Sequence, residues 1–230
     1  MTSPEPALTL FTHPLASYCW KVTIALYENG TLFESRILNG RPADDAQFRR
    51  LWPAAKMPVL RDAARERTIP ETSIIIEYLQ HHYPGPIALL PADPDAQLEV
   101  RLWDRFFDLY VQTPMQKLVS DRMRPADQKD PAGVGEATAT LAMAYGVLED
   151  RFAGASGEQP FTLADCAAAP ALFYAEAVQP FTATHPALGG YFERLLARPS
   201  VRRTIREAQP YLQYFPFREA LNPRFTSPDF

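Results

Sequence analysis

Lys56-Met57-Pro58-Val59-Leu60 and, a charged turn later, Ile69-Pro70-Glu71-Thr72-Ser73-Ile74-Ile75-Ile76-Glu77-Tyr78-Leu79 are the stretches from which the fold can be read. Residues 57–60 are a short apolar run led by a proline. Proline lacks the N–H that a central strand position needs, so it belongs at a strand's start or edge. Residues 67–69 form a second short run, and the two together predict a hairpin. From Thr72 the period changes. Ile74, Ile75, Tyr78 and Leu79 give a helical stripe that stops at His81-His82-Tyr83-Pro84-Gly85-Pro86. A helix start carries unpaired N–H groups and a positive dipole end, so the Glu71-Thr72 junction can hold a carboxylate. The structural alternative makes Thr72 a plain N-cap and Glu71 a first-turn acid.

Working outward, residues 7–11 are apolar apart from Thr9 and predict a buried strand ending at Thr12-His13-Pro14. Val22, Ala25 and Leu26 then mark a helix closed by Asn29-Gly30. Residues 32–38 alternate, with Phe33 and Ile37 on one side, and predict a second strand. Strand, helix, strand in so few residues is a βαβ unit with parallel pairing. Residues 44–51 are weakly helical up to Pro53. The order β-α-β, then α-β-β-α, supplies the elements of a thioredoxin-like domain over residues 1–82. Residues 83–94 hold four prolines and read as a linker. An all-helical bundle domain follows over 95–230. Its helices are expected at 98–119 (one long helix kinked at Pro114), then up to Phe152 after a loop at 124–135, and at 163–178, 188–197 and 201–208. The tail from Pro210 holds Tyr211, Tyr214, Phe215 and Phe217, expected to pack back on the body. The fold class is α/β plus all-α.

Composition narrows the function. The 230 residues carry 23 basic and 27 acidic side chains, a net charge of −4, which argues against a nucleic-acid partner. Residues 1–80 are balanced, so the acidic excess lies beyond them and the first domain is free to hold an anion. The first seven residues lack a leader pattern. The longest apolar stretch, 166–175, is interrupted by Pro170 and falls short of a membrane span. A soluble, cytoplasmic protein without a membrane partner is expected. Cys19 and Cys166 alone cannot build a disulfide framework. His13, His81, His82 and His185 show no metal-ligand spacing, so no metal is expected.

The order of elements and three local motifs resemble the cytosolic glutathione transferase family, over roughly residues 8–208. The resemblance implies that Pro58 is cis and that Met57 offers its main-chain N–H and C=O to the cysteinyl part of glutathione, as an added strand would. It implies that Glu71 meets the ammonium, and Thr72 with its helix start the carboxylate, of the γ-glutamyl end. Lys56 is a candidate for the glycyl carboxylate. The third motif, Phe161-Thr162-Leu163-Ala164-Asp165, is a capping box with Phe161 as a staple, and its role is structural.

The catalytic group is where the sequence departs from the family. The reaction needs the glutathione thiolate, and a free thiol has a pKa of about 8.5 unless a donor or helix start lowers it. Family members with a catalytic Ser or Cys carry it five residues before a basic residue, here Lys21. That place is Ala16, followed by Ser17 where Pro is usual. Three readings stand: Ser17 donates to the sulfur after a one-residue shift, Cys19 reacts from the first helical turn, or backbone N–H groups serve. Ser17 as a simple N-cap is the bland alternative. An electrophile pocket is expected between the domains, with Phe107, Tyr110, Val111 and Met115 as candidates, although such a stripe is equally a core face. The resemblance implies glutathione as co-substrate, a small hydrophobic electrophile and a homodimer. A glutathione- or ligand-binding protein without turnover, and a glutathione-dependent isomerase, dehalogenase or peroxidase, are the alternatives.

Overall fold

Strand β1 (Leu8–Thr12) lies inside a four-stranded sheet in the computed structural model, which describes residues 6–154, 159–227 and 230. Residues 1–5, most of the segment read for a leader, lie outside these. β2 (Glu34–Ile37) pairs parallel with β1, Leu10 facing Ser35. β3 (Val59–Asp62) pairs antiparallel on the other side, Leu10 facing Leu60, and β4 (Arg67–Pro70) completes the hairpin, Leu60 facing Ile69. The order is β2-β1-β3-β4. An edge position explains why β2 does not bury Ile37 despite its alternation.

Helices α1 (Ser17–Glu28) and α3 (Thr72–His82) join Leu8, Leu10 and Leu60 in the main core. Helix α2 (Pro42–Leu51) covers the other side of the sheet, where Phe48 meets Phe11, Leu38 and Val59. This is a thioredoxin-like layer arrangement. Residues 83–93 contain no helix or strand.

The helical part comprises α4 (Pro94–Phe106), a π-helical segment (Phe107–Gln112), α5 (Thr113–Met123), α6 (Pro131–Ala153), α7 (Leu163–Val178), α8 (Pro186–Ala197) and α9 (Pro199–Leu212). Helix α7 is the hub. Nearly all of it is buried, and Trp20 of α1 packs on its Phe173 and Tyr174 with ring centroids 4.9 and 5.2 Å apart. At the far end of α1, Glu28 pairs with Arg198 (Nε to Oε1 3.1 Å) and accepts from Ser200. Among the described residues no helix is long and apolar enough to cross a membrane.

Several expectations are corrected. The long helix runs on to Met123 and carries a π-helical segment ahead of Pro114, where the wider turn accommodates a residue with no N–H to donate. Helix α6 begins at Pro131, inside the expected loop, because Asp130 caps it by accepting from the Gly133 N–H at 3.0 Å and proline suits a first helical position. Helix α9 continues through Pro210 to Leu212. In the tail Phe215 is buried, Tyr211 and Phe217 are half-buried, and Tyr214 is 70% exposed, so it does not pack back.

The capping box is present. The Asp165 carboxylate accepts from the Thr162 N–H (2.7 Å) and hydroxyl (2.8 Å), and its other oxygen accepts from the Tyr191 hydroxyl (2.7 Å). Removing it strips a cap and leaves a buried phenol without its acceptor. Asp165→Ala should cost about 2–3 kcal/mol, lowering Tm by about 5–10 °C in a thermal melt.

At the opposite end of the sheet, buried Asp62 accepts from the Tyr78 and Tyr83 hydroxyls (both 2.7 Å) and the Arg65 N–H (3.1 Å). Burial alone would raise its pKa, but these hydrogen bonds and the Arg65 charge outweigh burial and hold it below the usual range. Such a carboxyl stabilises the fold above its unfolded pKa and loses that contribution as pH falls through the folded value. Asp62→Asn should therefore cost stability at about pH 7, and its deficit should narrow as pH falls below the unfolded carboxyl pKa of about 3.9, as read by urea unfolding across that range.

Candidate functional site

The sheet register gathers the three predicted binding segments at one edge. Phe11 of β1 faces Val59 of β3, and Val59 faces Pro70 of β4. The end of β1, the start of β3 and the end of β4 are thus lateral neighbours. The start of α1, Met57 and the start of α3 all leave from that edge.

Helix α1 starts without a side-chain cap. Ala16 occupies the N-cap position with extended backbone (φ −82°, ψ 110°), and its carbonyl accepts from the Cys19 and Trp20 N–H groups at 2.8 and 3.1 Å. The N–H groups of Ser17 and Tyr18 have no hydrogen-bond partner among the described residues. Ser17 is therefore the first helical residue and not the N-cap. It is 7% exposed, and its hydroxyl oxygen accepts from Gln112 Nε2 across the domain boundary.

Cys19 does not fit a reactive role. Its side chain is buried, and burial pushes the thiol up to about 11 against weaker help from the Thr12 side chain and the His13 backbone. The thiolate is the reactive form, so this corrects the Cys19 reading. Cys166 is likewise buried and pushed well above the usual thiol range by burial first and the Asp165 charge next.

The Met57-Pro58 peptide is cis. Met57 is half-buried, precedes the β3 ladder, and makes no backbone hydrogen bond among the described residues, while Lys56 is exposed. At α3 the capping alternative is corrected. Glu71, not Thr72, is the N-cap residue, with φ 67° and ψ 120° and no side-chain cap bond, and Thr72 is the buried first helical residue. A left-handed φ in a side-chain-bearing residue costs about 1–3 kcal/mol and persists where the surroundings impose it, functional sites included.

A polar column closes the site from the helical side. Asp104, Asp108 and Gln112 are all buried and recur at intervals of four through α4 and the π-helical segment, whose wider turn keeps that interval on one face. Lys21, 1% exposed, pairs with Asp104 (2.5 Å) and Asp108 (2.8 Å) and donates to Ser73 Oγ (3.0 Å), which donates to Asp104 (2.6 Å). Arg105 pairs with Asp108 and reaches Ser73 (3.4 Å). Burial pushes the Asp108 carboxyl up, against the pull of Lys21. Tyr18, half-buried, donates to the Asp108 carbonyl (3.4 Å); burial first, then the Asp108 charge, raises its hydroxyl, which also feels Glu71. None of Ser73, Asp104, Asp108 or Gln112 was singled out from sequence. The signal for Asp104, Asp108 and Gln112 was a polar residue at every fourth position of an otherwise amphipathic helix.

The pocket expectation is largely corrected. Phe107, Val111 and Met115 are buried in the main core, Phe107 stacking on Tyr191, because the stripe faces α7 and α6. Tyr110 keeps a 44% exposed side chain beside Phe106. A cleft of about 470 Å³ is lined by α7, α8 and residues 219–225, away from this edge. Among the described residues no cluster of His, Cys, Asp or Glu could hold a metal ion.

Comparison with known proteins adds independent findings. Residues 10–87 match the family model of the glutathione S-transferase N-terminal domain, and residues 121–194 that of the C-terminal domain. A glutathione S-transferase of Pseudomonas putida is 31% identical over 160 residues, covering 69% of this chain and 70% of its own. A glutathione S-transferase from Methylobacterium radiotolerans, solved with glutathione sulfonate, superposes with a TM-score of 0.73 at 29% identity, covering 86% of this chain and 93% of that one. One from Methylobacillus flagellatus, solved with glutathione bound, has a TM-score of 0.77 at 22% identity, covering 86% and 98%. With both domain models, a relative of this identity and the same two-part fold in agreement, the chain belongs to the cytosolic glutathione transferase family.

Proposed function

We propose that the protein is a cytoplasmic glutathione transferase that stabilises the glutathione thiolate and conjugates it to a small hydrophobic electrophile, a detoxifying reaction. In this reading residues 1–82 bind glutathione, 83–94 link, and 95–230 form the electrophile side. The observation that carries it is the uncapped start of α1. Ala16 has no side-chain oxygen with which to cap the helix, so the Ser17 and Tyr18 N–H groups and the Ser17 hydroxyl are available to a negative sulfur.

The remaining chemistry follows from the same edge. Met57 pairs its N–H and C=O with the cysteinyl unit, Glu71 takes the ammonium, and Thr72 with the α3 start takes the adjoining carboxylate. Lys56, exposed, takes the glycyl carboxylate. Donors in place before the thiol ionises lower its pKa. The sulfur then attacks the electrophilic carbon, the thiol proton passes to solvent and the leaving group departs. Tyr110, the exposed member of the expected pocket residues, faces the electrophile. No metal takes part.

Ser17→Ala should lower conjugation of a generic aromatic electrophile by about tenfold or more while retention on immobilised glutathione persists. An unchanged rate overturns the Ser17 assignment. Retention without turnover in the parent favours a binding protein, a reading supported by Ala16 standing where a catalytic side chain is usual. Loss of both removes the glutathione reading.

Ile74 of α3 and Leu98 and Leu102 of α4 are exposed, and Leu98 and Leu102 lie one turn apart. We place the homodimer contact there. Leu102→Glu should shift the protein from dimer to monomer in light scattering, and an unchanged mass rejects this face.

A further inference from the structure

Gln112 closes the π-helical segment and is 2% exposed, with core neighbours Val111 and Met115 flanking it in the helix. Its Nε2 donates to Ser17 Oγ, while its Oε1 is buried and has no hydrogen-bond partner among the described residues. Half of a buried carboxamide left unmet is a net penalty to folding, and an apolar side chain of similar volume would avoid it. Stability therefore does not account for a glutamine here. The bond it does make joins the helical domain to the first residue of α1.

We propose that Gln112 is a positioning residue that fixes the direction of the Ser17 hydroxyl proton; this rests on the reading of Ser17 as a thiolate donor. A hydroxyl has one proton to donate and two lone pairs to accept with. The Gln112 N–H occupies the accepting side of Ser17, and Ser17 Oγ donates to no group among the described residues. The proton is thus turned away from the carboxamide and left unspent beside the unpaired N–H groups of Ser17 and Tyr18. Neighbouring polar groups do not compete. The Asp108 carboxylate is taken by Lys21 and Arg105, and the Tyr18 hydroxyl is directed to the Asp108 carbonyl. The wide turn gives the segment its second role, since it holds Gln112 on the same face as Asp104 and Asp108.

The test compares the parent with Gln112→Met, Ser17→Ala and the double variant, with Gln112→Leu as a second replacement. The thiol pKa of enzyme-bound glutathione is read from thiolate ultraviolet absorbance against pH, alongside kcat, KM and a thermal melt. Gln112→Met should raise the bound thiol pKa and lower kcat by about three- to tenfold, with KM for glutathione within about twofold. Its melting temperature should equal or exceed the parent's. In the Ser17→Ala background it should change nothing further, because the two act as one unit.

A bound thiol pKa unchanged in both Gln112 variants overturns the proposal. So does an undiminished effect of Gln112→Met in the Ser17→Ala background, which would mean that Gln112 acts without Ser17. A parental pKa in the Ser17→Ala single variant removes the Ser17 reading itself and the proposal with it, and only that single variant reports this failure.

Discussion

Lys21 brings a full positive charge into the seam between the sheet layer and the helical bundle, where water does not reach it. A charge so placed is tolerated only with close partners, and Asp104 and Asp108 supply them from the opposite side of the seam. Buried ion pairs add little net stability over well-packed apolar groups, but they penalise every misregistered arrangement heavily. One helical turn of slip between α1 and α4 would exchange one of the two carboxylates beside Lys21 for Gln112 in one direction or Val100 in the other. The pairing therefore favours the register in which both carboxylates meet the one cation. Ser73 joins the same charges to the start of α3, so α1 and α3 are both indexed to a single group.

That register gives meaning to an otherwise deficient helix start. A side-chain cap normally consumes the first donors of a helix and stabilises it by about 1 kcal/mol. Here α1 forgoes the cap and instead buries Trp20 against Phe173 and Tyr174. Packing holds the helix, and the Ser17 and Tyr18 N–H groups stay unpaired among the described residues. The left-handed backbone of Glu71 is a comparable concession at α3. In both places local conformational stability is lower than the chain could achieve, and both places are at the edge where the ligand is expected.

The order of elements was legible because strand, helix and hairpin each have a strong local signature: apolar alternation, the Asn29-Gly30 stop, Pro58 at a strand start. Helix α7 was legible to the residue because a capping box opens it. Boundaries failed where proline was taken as an interruption. Pro131 starts a helix and Pro210 lies within one, and proline's fixed φ suits a first turn as well as a stop. The candidate site was legible on the sheet side only as short segments that the register brings to one edge. It was not legible on the helical side. Asp104, Asp108 and Gln112 are meaningful only against Lys21, Ser73 and Ser17, which are distant in sequence, and a π-helical turn has no plain sequence signal. Phe107, Val111 and Met115 were misplaced for the same reason, since a stripe does not say which neighbour it faces.

Helix α1 is held at both ends by the other half of the chain: near its start through Lys21 and Ser17, at its end through Glu28 to Arg198 and Ser200. Between those ends Trp20 is shared with α7, and one continuous core runs from Leu8 to Phe225. The two halves are therefore not interchangeable modules. A chimera that joins this N-terminal half to a relative's helical bundle through the proline-rich junction would keep the backbone connection and lose the matching surface. Recombination within the family would have to carry α1, the polar column and the α8–α9 turn together as one inherited block.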